Sequence, residues 1–262
     1  MSTVYFLPVQ RFGEMADFLR AAGLAEFLRP DEPVCLKIHF GATTHANAVP
    51  PHLLKDLVAL IADRKALPCL TDTNVLYRGQ RATTLDHLRV AWANNYHTLG
   101  IPILIAGGLN AEDEVAVPVN GTHFREVYLA REFPAWKAMI AVTHFKGHVA
   151  AGIGGTLKNL GMGCASRRGK FAQHASVIPH VTPETCIGCG VCVENCPADA
   201  ISLQDGKATI NPGVCIGCAQ CIHVCPQEAI DIPWSSTSSK TFQQRLAEYA
   251  VGALSLYPGR FF

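Results

Sequence analysis

The chain has 262 residues, 49% of them hydrophobic and 16% charged, with a formal net charge of +1. That length buries a sizeable core and suits one large domain plus a small one. Near-neutrality removes any overall case for nucleic acid or an acidic membrane as partner, and no apolar run approaches the roughly 20 residues a membrane span needs. The opening "MSTVYFLPVQRFGEM" lacks the basic head and long apolar run of a signal peptide, so a cytoplasmic location is expected.

In chain order, "TVYFLPV" from Thr3 reads as a strand and "GEMADFLRAAGLAEFL" as an amphipathic helix. "VCLKIHF" (34–40) is a second strand. Pro50 and Pro51 suit the start of the helix "HLLKDLVALIADRKA", where Leu53, Leu57, Leu60 and Ile61 share a face. "PCLTDTN" (68–74) is a third strand, followed by the helix "TTLDHLRVAWANNY", capped by Thr83 or Thr84. "IPILIAGG" is a fourth strand, "EVAVPVN" a short one, and "AMIAVTHF" (138–145) a buried one.

Strands separated by helices in this order predict an α/β fold with a largely parallel central sheet. Ligands of such sheets gather beyond the carboxyl ends of the strands. That rule singles out His39 and Gly41, then Asp72, Thr73 and Asn74, then Gly107 and Gly108, and last His144, Lys146 and His148. A helical metal pair at His144 and His148 is disfavoured by Gly147 and the preceding strand. His87, His174 and His180 read as structural imidazoles.

"GIGGTLKNLGMGCASRRGK" (152–170) is rich in glycine and carries four basic residues. It contains no G-x4-G-K-S/T phosphate loop, and Ser166 stands where a dinucleotide fingerprint starting at Gly161 needs its last glycine. Two readings stay open. Backbone N–H groups with Lys158, Arg167, Arg168 and Lys170 converge on an anion, or the segment is a mobile, solvated loop. Cys35 and Cys69 read as core residues, whereas Cys164, beside arginines, is a candidate thiolate.

Eight of the eleven cysteines lie between Cys186 and Cys225. "CIGCGVCVENCPADAI" recurs as "CIGCAQCIHVCPQEAI", each cysteine displaced by 29 residues (186→215, 189→218, 192→221, 196→225). Two copies of C-x2-C-x2-C-x3-C-P are the bacterial two-cluster ferredoxin pattern, in which the fourth cysteine of each copy ligates the other cluster. One [4Fe-4S] cluster is therefore expected on Cys186, Cys189, Cys192 and Cys225, and the other on Cys215, Cys218, Cys221 and Cys196. Structural zinc explains neither the third cysteine nor the doubled C-P. "SLQDGKATINPG" between the copies predicts a hairpin through its Asp-Gly turn.

Phe242, Leu246, Tyr249 and Ala253 form the stripe of a last helix, which is expected to pack back on the α/β part. The expected organisation is an α/β domain over 1–181, an inserted ferredoxin-like module over 182–234, and a returning helix within 235–262.

"LKIHFG", "TDTNVLYRGQR", "HFKGHVAAGIGGTLKNLGMGCASRRGK" and the cysteine repeat, in this order, resemble the iron–sulfur-centre proteins of the domain of unknown function 362 family. The resemblance runs from about Val34 to the C-terminal helix. It implies an α/β domain with an inserted two-cluster ferredoxin, and it favours the glycine-rich segment as a site. It supplies no reaction.

The leading expectation is an oxidoreductase of anaerobic chemistry, in which clusters supplied by an external donor or acceptor protein pass electrons to a small anionic ligand at the strand ends. Lys37, Asn74, Lys146, Gly154, Gly155, Lys158, Asn159 and Arg167 are the candidate binding residues. His148 or His39 is the candidate proton donor, with Asp72 as a further acid or base. No motif identifies an organic cofactor. The alternative is a non-catalytic electron carrier or assembly partner that docks another protein.

Overall fold

The computed structural model describes residues 3–42, 48–76, 79–148, 151–174, 178–233 and 239–262. Four parallel strands form the central sheet in the order β3-β2-β1-β6: β1 (Pro33–Lys37), β2 (Leu67–Thr73), β3 (Ile103–Ala106) and β6 (Ala138–Ala141). Between β3 and β6 the chain makes an antiparallel hairpin, β4 (Glu114–Pro118) with β5 (Glu126–Ala130). Helices α1 (Met15–Ala21), α2 (Leu24–Phe27), α3 (Lys55–Asp63) and α4 (Thr84–Ala93) fall before or between the first three strands. The Thr83 hydroxyl accepts the Asp86 N–H at 3.2 Å, so Thr83 is the cap of α4.

Strand periodicity divides the core in two. Val34, Leu36, Leu70 and Ile140 pack with Leu57, Leu60 and Ile61 of α3 on one face. Cys35 and Met139 face the other way, against Val127 and Leu129 of β5 and Leu160, Tyr249 and Ala253. That second face is roofed by α5 (Thr156–Gly161), α6 (Arg167–His174) and the final helix α9 (Ser239–Ser255), which packs on α5, α6 and β5. Phe242, Leu246, Tyr249 and Ala253 are all buried in α9. Its Glu248 carboxylate accepts the backbone N–H groups of Thr122, His123 and Phe124 at 2.9–3.1 Å, tying the β4–β5 turn to the roof. Residues 260–262 run beside β6 and satisfy its outer edge.

Three expectations are corrected. Thr3–Pro8 forms no strand, and Val9–Glu14 is a 3-10 helix. Val4 and Phe6 are 89% and 83% exposed, because no sheet edge takes this segment up. The expected helix over 13–28 breaks into α1 and α2 at Gly23, whose φ of 87° is left-handed. The glycine-rich 152–170 is not a loop. It contains β8 (Gly152–Gly154), paired antiparallel with β7 (Lys146–His148), followed by α5 and α6. Its glycines serve close packing. A Cβ on Gly161 would lie 2.3 Å from the Leu246 carbonyl oxygen, and one on Gly169 2.3 Å from that of Tyr128.

The cysteine-bearing segment folds as two related halves. Strand β9 (His180–Val181) pairs with β12 (Ile230–Asp231), and β10 (Ile201–Gln204) with β11 (Lys207–Ile210), so the first half's opening strand meets the second half's last. Helices α7 (Val191–Glu194) and α8 (Gln220–Val224) follow equivalent left-handed residues, Gly190 (φ 78°) and Ala219 (φ 59°). Residues 234–238, where the expected module gives way to the returning helix, lie outside the described residues. Among the described residues no helix is long and apolar enough to cross a membrane.

Gly169→Ala should lower stability by about 1–3 kcal/mol through overpacking at Tyr128 and Tyr249. Gly13→Ala, with nothing within 4 Å, should leave thermal unfolding nearly unchanged. Equal melting temperatures for the two variants would contradict the close-packing role.

Candidate functional site

The parallel strands deliver Lys37 and Asp72 to neighbouring carboxyl ends, where both are buried. An ammonium inside a protein must spend its three protons locally. Lys37 Nζ donates to the Ile38 carbonyl at 2.8 Å, Asp72 Oδ1 at 2.9 Å and Asn159 Oδ1 at 2.8 Å. Asn159, from α5, uses its Nδ2 on the Lys37 and Val142 carbonyls (both 3.1 Å) and the Thr143 hydroxyl (3.0 Å). It therefore stitches the gap between β1 and β6, where the strand order reverses and ligands of open sheets bind. A Cβ on Gly163 would lie 2.6 Å from Lys37 Nζ, so a glycine there leaves room for the ammonium.

Burial alone would raise the Asp72 carboxyl. Lys37 first, then His87, His39 and Arg81, outweigh that and hold it well below the usual carboxylate range. His87 Nε2 lies 3.6 Å and Arg81 Nη1 3.9 Å from Asp72 Oδ2. The Asn74 amide sits between His87 Nδ1 (3.2 Å) and the Thr84 hydroxyl (3.0 Å). Burial pushes His87 down to about 3, against the pull of Asp72. His39 faces two donors, the Gly41 N–H and Arg81 Nη1, both at 3.0 Å. Burial pushes it too down to about 3, with Asp72 pulling the other way. At neutral pH His39 is an uncharged ring facing donors, which suits an acceptor better than a proton donor.

Outside this buried set lie Lys146 on β7 and Lys158 on α5, neither in an ion pair among the described residues. Burial lowers Lys158, then Lys146 and Arg81 do; burial lowers Lys146, then Arg81 does. Lys146, Lys158 and Arg81 thus share one region, and among the described residues its one carboxylate is Asp72, which Lys37 already holds. Half-buried His148 is lowered by burial, then by Lys158 and Lys146. Gly154 lets the Lys146 stem lie close, a Cβ there being 3.3 Å from its Cγ; Gly155 caps α5 beside Phe145.

The four cations of 152–170 do not converge. Arg168 stacks on Tyr128, 3.6 Å from the ring centroid, and pairs with Glu114 at 3.4 Å. Lys170 points inward to Thr73 Oγ1 and the Ala165 carbonyl, both at 2.5 Å, and burial pushes it down to about 7. Arg167 is buried beneath the cysteine-bearing segment. Only Lys158 remains at the strand ends. Cys164 is fully buried, and burial pushes its thiol up to about 12, so the expected thiolate is not favoured. Arg81 and His87 were missed as site residues, although Arg81 lies between β2 and α4, nine residues after Asp72 (81 − 72), where the strand-end rule could have reached it.

The eight clustered cysteines line two small cavities that open to solvent. Cys186, Cys189, Cys192 and Cys225 wall the first; Cys196, Cys215, Cys218 and Cys221 wall the second. Each wall borrows one thiol from the other half. Cys196 and Cys225 Sγ accept the Ala200 and Ala229 N–H at 3.3 Å, and Cys186 Sγ accepts the Ala208 N–H at 3.4 Å. Such bonds suit sulfurs that carry charge. Among the described residues no three His, Cys, Asp or Glu side chains converge as they would round a single ion; these thiols stand apart around a space.

A parallel four-stranded sheet with flanking helices and a buried charged cluster at its strand-order reversal defines an α/β protein with a built strand-end site. The chain belongs to the family described as domain of unknown function (DUF362), which it matches over residues 34–258. No curated protein matches it. Among solved structures it is similar to the lactate racemase apoprotein from Thermoanaerobacterium thermosaccharolyticum, at 15% identity and a TM-score of 0.43. That likeness covers 85% of this chain and 44% of the other, so this chain spans less than half of that structure's length.

Asp72→Asn strands the Lys37 ammonium and should destabilise by about 3–5 kcal/mol in denaturant unfolding. The histidines give a pH dependence. Their folded values lie below the unfolded value of about 6.5, so the unfolded chain binds protons first. Stability present above pH ~6.5 should fall as the pH drops towards 3, and His87→Gln should flatten that fall. An unaltered slope would show that His87 is not buried uncharged.

Proposed function

We propose that this protein is an iron–sulfur oxidoreductase that delivers electrons to a small anion held at the strand ends. The single observation that carries the reading is the exchange of thiols between halves. Four cysteines surround each cavity in the crossed assignment of a two-cluster ferredoxin, and backbone N–H groups already point at three of the sulfurs. Two [4Fe-4S] clusters held there would supply one-electron transfer, exchanged with an external redox protein.

The chain's own residues account for the rest. Lys146, Lys158 and Arg81 attract an anion and orient it towards the β1–β6 gap. Lys37, Asp72 and Asn159 do not touch it; they hold the strand ends rigid beneath it. Neutral His39 accepts the Arg81 N–H and aims the guanidinium. His148 is kept uncharged by burial and by the two lysines. An anion that neutralises those lysines removes part of that repulsion and raises the proton affinity of His148, which then serves as the proton donor for a reduction.

Anaerobic reconstitution should load about eight irons and as many sulfides per chain. Zinc in their place removes the redox reading. In calorimetry with inorganic phosphate and with a dicarboxylate, Lys146→Ala/Lys158→Ala should weaken binding at least tenfold and reduce its salt dependence. Undiminished binding would move the anion site elsewhere, and no binding by the parent would favour an electron carrier.

A further inference from the structure

The two cysteine cavities are related by the repeat but are not equivalent in charge. Arg167, at the start of α6, is 2% exposed. Its Nη1 donates to Gln220 Oε1 at 2.7 Å and its Nη2 to the Ala82 carbonyl at 3.3 Å, while its Nε finds no partner. Among the described residues no carboxylate lies within ion-pair distance. Exposed Glu112 and Cys218, in the second cavity wall, act on Arg167 electrostatically from farther off. Burial lowers the guanidinium only to about 10, so it stays charged at neutral pH. A buried cation with no anion beside it is costly, and an anion brought close to it is favoured.

Gln220 stands between Cys218 and Cys221, and the repeat places Val191 at the corresponding position of the first half (191→220). The polar side chain that receives Arg167 is therefore a departure from the repeat, found at one cavity alone. The first cavity has its own cation: Lys207 Nζ donates to the Cys186 carbonyl at 2.5 Å. That lysine is half-exposed, so water screens it, whereas Arg167 is shielded. The first cavity is also the one with an exposed ligand thiol, Cys189. In the second, Cys196, Cys215 and Cys218 are half-buried and Cys221 is buried, and a Cβ on Gly217 would lie 3.4 Å from the Phe171 ring of α6.

We infer that Arg167 is a positioning residue for electrons: it raises the reduction potential of the cluster held by Cys196, Cys215, Cys218 and Cys221 above that of its twin. This rests on the iron–sulfur reading above. Reduction adds one electron and one unit of negative charge to a cluster already negative through its thiolates, and a shielded guanidinium favours that state. An electron from an external one-electron donor that enters at Cys189, the exposed thiol of the first cavity, then moves to the second. Its second guanidinium arm is bonded to Ala82, next to Arg81 at the strand ends. Order of transfer is thereby built into one side chain.

The test is a dithionite titration of the reconstituted protein, followed by electron paramagnetic resonance. The parent should show two separated midpoints. Arg167→Met should lower the higher midpoint and leave the other in place, and Arg167→Lys should restore most of the separation. Gln220→Glu, at a half-exposed position, should pair with the guanidinium and lower the same midpoint, which covers the case of a poorly folding Arg167→Met. Lys207→Met should move either midpoint less. Iron-loaded variants whose midpoints stay put, or move together, overturn this inference alone. A chain that takes up no iron overturns the reading beneath it as well.

Discussion

The Lys37–Asp72 pair is the constraint around which the α/β part is arranged. Two charges out of water must be saturated, and here saturation requires β1, β2 and α5 at once: the ammonium takes one oxygen from each. Asn159 then bonds β6 through the Val142 carbonyl, so four elements are registered at one point. Buried ion pairs add little net stability over an apolar core, but they punish misregister heavily. The pair therefore acts mainly to specify where the strand ends lie, and the cations of the site inherit their positions from it.

Much of the architecture was readable because it rests on local or periodic signals. The alternation of Val34, Leu36 and Ile38 on one face, the Thr83 cap and the Asp205-Gly206 turn (φ 49° and 73°) each follow from neighbours in sequence. The partition of the eight thiols between two cavities followed from repeat spacing. What escaped was non-local. Strand β5 exists because β4 pairs with it, and "EVYLA" alone is short and mixed in polarity. The glycines of 161–169 look like mobility in sequence. Their reason is close approach by the Leu246 and Tyr128 carbonyls, from segments 85 and 41 residues away (246−161 and 169−128). The same blindness assigned Arg167 to the anion site, since sequence cannot say to which side of a buried helix a cation points.

Helix α6 emerges as the joint of the molecule. Lys170 reaches Thr73 under the strand ends, Phe171 enters the apolar cluster of the cysteine-bearing segment, and Arg167 meets Gln220. Gly169 admits the helix against β5, so the closeness of cavities and strand ends depends on a missing methyl group. The hydrophobic and electrostatic ties run through the same two turns of chain, which keeps the spacing between the two parts short and fixed.

The repeat keeps its backbone where it no longer keeps its residues. Gly190 and Asp199 are left-handed in the first half; Ala219 and Glu228, at φ 59° and 52°, are left-handed in the second. Glycine adopts that conformation freely and aspartate tolerates it, whereas other side chains are held there at about 1–2 kcal/mol each. The later copy is thus the more tense of the two, and during synthesis the relaxed one leaves the ribosome first. A duplicated unit has become a mould and its cast, with the second copy shaped by closing on the first.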